Sequence, residues 1–198
     1  MPSKISIKEI LSGNSSFEKR YIRDFNNLKK VVAECRKRKL KIVLTQGVYD
    51  LIHGGHAAYL EKAKSLGDVL IVGVDSDALT RERKGPGRPI VPEEERLRML
   101  VHLRHVDVVT LKDVDQGIGD LIRLVRPDVL VVSKSTTDFT DEMAKEYEGV
   151  CGRVVSLPPQ ATTSTSARIR ILTIDGAEQL AGEIGKITQN FLNKIRGS

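Results

Sequence analysis

Hydrophobic positions in this chain follow two rhythms, and their alternation predicts the architecture. Continuous apolar runs occur at Lys41-Ile42-Val43-Leu44-Thr45, Val69 to Val74, Val106 to Leu111, Val129 to Ser133 and Arg153 to Leu157. Each is short, rich in β-branched residues and bounded by turn formers, as in strands buried on both faces. Between them the apolar residues recur every three or four positions. Ala57, Leu60 and Ala63 form one such stripe, stopped by Gly67-Asp68. Pro92 with Glu93, Glu94 and Glu95 opens a second helix, its acids in the first turn, where the helix dipole favours them. A third runs from Gln116 to Val125 and ends at Pro127.

Outside this core the signals differ. Residues 1–17 are polar and predict a loosely ordered arm. From Glu18 to about Lys39, the spacing of Ile22, Phe25, Leu28, Val32 and Cys35 predicts one helix with a basic outer face. A last helix is expected from about Gly176 to Arg196, with Leu180, Ile184, Ile187 and Phe191 on one stripe that packs on the core or joins a homodimer. Strand and helix therefore alternate as α/β: a Rossmann-like, doubly wound parallel sheet of about five strands with helices on both faces. The expected division is residues 1–39 as arm and basic helix, 40–172 as the main domain, and 173–198 as the C-terminal helix.

Composition narrows the function classes. No apolar run is long enough to span a bilayer, and the start Met1-Pro2-Ser3-Lys4-Ile5-Ser6 lacks a secretion signal's apolar core. Cys35 and Cys151 have neither metal-type nor redox-type spacing, so a reducing, cytoplasmic setting is expected. The net charge of +6 suits anionic partners. Aromatic residues are only 4% and no stacking motif appears, so a nucleic-acid partner is not expected, nor is a membrane; an anionic surface and small polyphosphates both stay open.

The candidate chemistry sits in His53-Gly54-Gly55-His56, between the first buried run and the following helix. The glycines tolerate positive φ, and Gly55 lets the backbone approach a ligand. A helix start offers free N–H groups and a positive dipole end to an anion. Two imidazoles three residues apart can donate to phosphate oxygens there. The plainer alternative is that the histidines cap the turn. Zinc is disfavoured, because no further Cys or His cluster completes a ligand set.

The segment Thr45-Gln46-Gly47-Val48-Tyr49-Asp50-Leu51-Ile52-His53-Gly54-Gly55-His56 resembles the first signature of the cytidylyltransferase-like nucleotidyltransferases, T-x-G-x-F-D-x-x-H-x-G-H. Tyr49 replaces the usual Phe, and Val48 a small or polar residue. The resemblance runs on through Leu66 to Asp77, Lys84 to Val91 and Glu95-Arg96. Thr163-Ser164-Thr165-Ser166-Ala167-Arg168 is similar to the family's second signature, a hydroxyl-rich turn with a basic residue on a helix. Arg170 is an alternative in a register shifted by two, which puts Ala167 where a hydroxyl is expected.

The resemblance implies transfer of a nucleotide to a phosphorylated small molecule, with release of pyrophosphate. His53 and His56 would hold the triphosphate and the developing charge. Backbone N–H groups near Gly47, Val48 and Tyr49 would hold the α-phosphate region, with Gly55 letting the backbone come close to the nucleotide. Thr163, Ser164, Thr165 and Arg168 would take the leaving pyrophosphate. Mg²⁺ would bridge phosphate oxygens, with no protein ligand assigned. Lys84, with Arg83 as a weaker candidate better read as a water-exposed charge, and Arg88 would meet the acceptor phosphate. Lys134 is a further substrate contact. Asp50 would orient the turn or a histidine, and Arg96 would pair with a carboxylate.

Within the family the central run looks most like heptose-1-phosphate adenylyltransferases, which favours ATP. Glycerol-3-phosphate cytidylyltransferases, using CTP on a polyol phosphate, are the alternative. A degenerate nucleotide-binding regulator is a third reading. The turn Val132-Ser133-Lys134-Ser135-Thr136-Thr137-Asp138 departs from the glycine- and acid-containing turn of relatives and leaves the acceptor open.

Overall fold

The structure is a computed structural model that describes residues 6–12, 15–117, 119–134, 141–160 and 165–196. Five strands form one parallel sheet: β1 (Ile42–Gly47), β2 (Val69–Asp75), β3 (Val108–Lys112), β4 (Val129–Ser133) and β5 (Arg153–Leu157), in the order β3-β2-β1-β4-β5. The expected α/β sheet is therefore present. Every residue of β2 is buried, the environment its apolar run Val69-Leu70-Ile71-Val72 requires. After β1 the chain builds outward through β2 and β3, then returns to the other side of β1 with β4. The carboxyl ends of β1 and β4 thus flank the topological switch point, where open α/β sheets bind ligands.

Side chains alternate across the sheet, so each face has its own core. One face combines Ile42, Leu44 and Ile71 with Ile7, Leu28 and Cys35 of the N-terminal helices and Leu121 and Ile122 of α7 (Asp120–Val125). The other combines Val43, Leu70 and Val72 with Leu60 and Ala63 of α4 (Gly54–Lys64) and Leu97, Leu100 and Val101 of α6 (Glu93–His102). Between β2 and α6 lies α5 (Asp77–Lys84). A further helix, α8 (Asp141–Glu148), buries Tyr147 and had no expectation from the sequence.

The N-terminal segment corrects two expectations. Residues 6–12 are not a loose arm: α1 (Ile7–Ile10) buries Ile7 and Ile10 at 1% and 3% exposure. The single helix expected from Glu18 is two, α2 (Phe17–Arg20) and α3 (Phe25–Lys37). Periodicity missed the break because it has a tertiary cause. Tyr21 bridges to Val109, and the Ile22 N–H donates to the Val109 carbonyl at 2.8 Å, covering the exposed edge of β3. Asp24 then caps α3, accepting from the Asn27 N–H at 2.8 Å.

The chain divides into compact units at 1–160 and 161–198. The second unit contains one continuous helix, α9 (Thr165–Arg196), so the boundary expected at residue 172 falls inside a helix. Among the described residues, no helix is long and apolar enough to cross a membrane.

Candidate active site

The turn between β1 and α4 begins where the sheet's hydrogen bonding ends. Tyr49 has φ 55° and Leu51 φ 46°, the left-handed region that costs a non-glycine residue about 1–3 kcal/mol. Neither Gly54 nor Gly55 has positive φ, so the turn does not use the tolerance that their identity offers. Around Gly54 there is space: beyond its chain neighbours and the backbone of its own helix, nothing lies within 4 Å of where a Cβ would be.

His53 is the N-cap of α4, and His56 lies in its first turn. Nδ1 of His53 accepts from the Gly55 N–H at 3.0 Å, and Nδ1 of His56 accepts from the His53 N–H at 3.4 Å. The capping role and the phosphate role are thus compatible, because they use different nitrogens. An accepting Nδ1 places the proton of a neutral imidazole on Nε2, which is then a donor. The rings stand 4.2 Å apart between centroids, and Tyr49 lies 5.7 Å from His56. Burial holds His56 down to about 4, helped by His53 and Lys84 and opposed by Asp50. His56 is therefore neutral at neutral pH.

Two buried charged groups hold this turn against the next loop. Oδ1 and Oδ2 of Asp50 accept from the Val91 and Ile90 N–H groups at 2.9 and 3.0 Å, and Oδ2 lies 3.3 Å from Arg88 Nη1. Asp50 thus ties the loop of Arg88 to Val91 to the histidine turn. Arg96 is 1% exposed, and its pairing with a carboxylate, Asp77 at 2.7 Å, is a small part of what it does. It also donates to the carbonyls of Val48 (2.5 Å), Asp75 (2.9 Å) and Val91 (2.9 Å). Sequence reasoning underrated it. The available signal was an arginine within the apolar stripe Leu97, Leu100, Val101.

The other expected residues fall as follows. Lys84 ends α5, exposed, and its charge reaches His56. Arg83 is not a water-exposed loop charge: it pairs with Asp75 at 2.9 Å, beside Lys112 at 3.3 Å from the same carboxylate. A helix end facing a buried acid explains the difference. Lys134 follows β4 at the switch point, exposed, with its N–H donating to the Leu157 carbonyl at 2.9 Å. Thr163 and Ser164 lie outside the described residues, as do Ser135 to Asp138. Thr165 and Arg168 fall in the first turn of α9, where only the backbone is described. Among the described residues, no group of three or more acidic, His or Cys side chains could hold a metal.

Residues 44–171 match the family model described as cytidylyltransferase-like. The chain belongs to the cytidylyltransferase-like family. It is 45% identical over 111 residues to the bifunctional protein HldE of a Nitratiruptor species, covering 56% of this chain and 24% of that one. With the HldE of Methylobacillus flagellatus it shares 35% over 165 residues, 83% of this chain and 34% of the relative. The chain therefore spans only about a quarter to a third of these relatives. Among solved structures, a lipopolysaccharide core biosynthesis protein from Thermoplasma volcanium aligns with TM-score 0.52 and 27% identity, over 61% of this chain and 98% of that one. The pantoate-beta-alanine ligase of Francisella tularensis, with TM-score 0.54 at 14% identity over 74% and 68% of the two chains, shares the fold alone. The matched residues include the turn from Gly47 to His56.

Proposed function

We propose that this chain is a nucleotidyltransferase that moves a nucleoside monophosphate, from ATP in preference to CTP, onto a phosphorylated small molecule of the sugar 1-phosphate class. An acceptor phosphate oxygen attacks the α-phosphorus in line. The bond from that phosphorus to the bridging oxygen breaks, and pyrophosphate leaves. Catalysis is positioning and charge neutralisation. His53 and His56 donate to the triphosphate and steady the charge that develops on it. N–H groups from Gly47 to Tyr49 receive the α-phosphate region; the Gly55 N–H is taken by His53 Nδ1, so Gly55 serves by letting the backbone come close. Lys84, Arg88 and Lys134 meet the acceptor, and Thr163, Ser164, Thr165 and Arg168 the pyrophosphate. Mg²⁺ enters as part of the nucleotide substrate. This fits the site, because Asp50 and Asp75 already serve backbone N–H groups and cations of the protein. A reducing, cytoplasmic setting suits Cys35 and Cys151, which are buried free thiols.

The observation that carries this reading is the placement of two Nδ1-capped imidazoles at the start of α4, beyond the carboxyl end of central β1. The test is pyrophosphate release by the purified chain with ATP or CTP, over a panel of sugar and polyol phosphates. Turnover is expected with ATP and a sugar 1-phosphate. Turnover with CTP and glycerol 3-phosphate would move the substrate assignment. Nucleotide binding without turnover of any NTP would sink the enzyme reading in favour of a regulator.

A further inference from the structure

Arg96 sits in the first turn of α6 and is 1% exposed. A guanidinium taken out of water costs several kcal/mol unless its donors are matched. Here its acceptors come from four segments: the turn after β1, the end of β2, the start of α5 and the loop before α6. The shortest bond, 2.5 Å, is to the carbonyl of Val48. That carbonyl belongs to the peptide whose N–H is on Tyr49. In a trans peptide the N–H points away from the C=O. The Tyr49 N–H therefore faces away from Arg96, and among the described residues it donates to no protein acceptor. Tyr49 is also one of the two left-handed residues of the turn, a conformation that persists only where surrounding contacts over-determine it.

We propose that Arg96 is a positioning residue for nucleotidyl transfer: by binding the Val48 carbonyl it fixes and polarises the Val48–Tyr49 peptide, so that the Tyr49 N–H is aimed at a phosphate oxygen of the nucleotide. The proposal rests on the β1–α4 turn being the phosphate-binding element. A positive charge on the carbonyl draws electrons from the amide and strengthens the opposite N–H as a donor. The side chain touches no substrate itself. Lysine cannot replace it, because three donors on one nitrogen do not span acceptors set around a planar fork.

Two measurements on the full-length protein test this. In the first, ATP is titrated into ¹⁵N-labelled protein and the Tyr49 amide is followed. Its proton is expected to shift downfield in the wild type and by less than half as much in Arg96→Lys. An amide that stays still while the His56 resonances move would overturn the proposal. This readout needs no turnover, so it stays separate from a failure of the enzyme reading. In the second, pyrophosphate release is measured for Arg96→Lys and Arg96→Gly. The expectation is a kcat loss of about 100-fold, the scale for one misaimed donor, with nucleotide affinity changed far less. Guanidinium ion, but not methylammonium, should restore part of the loss in Arg96→Gly. Unchanged kcat, or equal loss in kcat and affinity with no rescue, would overturn it. Should the glycine variant not fold, the lysine variant and the wild-type titration decide.

Discussion

The two edges of the sheet use the same chemistry for opposite ends. At the amino edge, Asp68, Asp107 and Asp128 accept the N–H groups of Lys41, Leu70 and Ile42 at 2.7, 2.7 and 2.6 Å. Lys64 pairs with Asp107 and Arg36 with Asp128, both within 2.6 Å. Hydrogen bonding is completed there within the protein, and strands start in register. At the carboxyl edge, Asp50 also accepts two backbone N–H groups, yet its neighbours Tyr49 and Leu51 are left-handed, and the Tyr49 N–H, on the side of its peptide opposite Arg96, has no protein acceptor among the described residues. A carboxylate on backbone N–H groups is thus a fastener at one edge and a jig at the other. What separates them is whether a donor is left over for a ligand.

The strongest way to break the comparison is His56→Ala. Loss of one aimed donor predicts about a 100- to 1,000-fold fall in kcat, with nucleotide affinity changed only a few-fold by calorimetry. Equal losses in both would mean that the carboxyl edge merely binds. Next comes the matched pair Asp50→Asn and Asp107→Asn. Asp107→Asn should cost about 2 kcal/mol in urea unfolding, the scale for hydrogen bonds to a charged group, with turnover per folded molecule intact. Asp50→Asn should lower kcat about tenfold through misplacement of the turn. If both variants lose only stability, the edges do not differ in kind.

Gly73→Ala sharpens the boundary between frame and site. A Cβ there would lie 2.5 Å from Leu121 Cδ2 and 3.2 Å from Gln46 Cγ, so overpacking of about 1–3 kcal/mol is expected in thermal unfolding. A last effect is with pH. The His56 value in the folded chain, about 4, lies below its ordinary 6.5. Between those values the unfolded state binds the extra proton, so this contribution is present above about 6.5 and lost as pH falls towards about 4. A His56→Gln variant should lack that part of the slope in pH-dependent melts.

Much of the sheet was legible because buried parallel strands are written as continuous apolar runs. Helices α4, α6 and α7 were legible from their stripes and stop signals. The break at Tyr21 was not, because pairing with the β3 edge is a contact distant in sequence, and neither was the burial of Ile7 and Ile10. At the site, His53 and His56 could be read from spacing and their place after a strand. The ion pair of Arg83, and the carbonyls that Arg96 binds beyond its expected carboxylate, could not, since Asp75 and Val48 come near only after the strands align.

Taken alone, the sequence determined the alternation of elements, the parallel sheet and the histidine turn at a helix start. These depend on local periodicity and on which residues tolerate a turn. Only the tertiary structure decided which charged groups serve the turn and which backbone conformation it takes. A left-handed tyrosine is unfavourable by itself; here Asp50 and Arg96, from the turn itself and from α6, hold the segments around it.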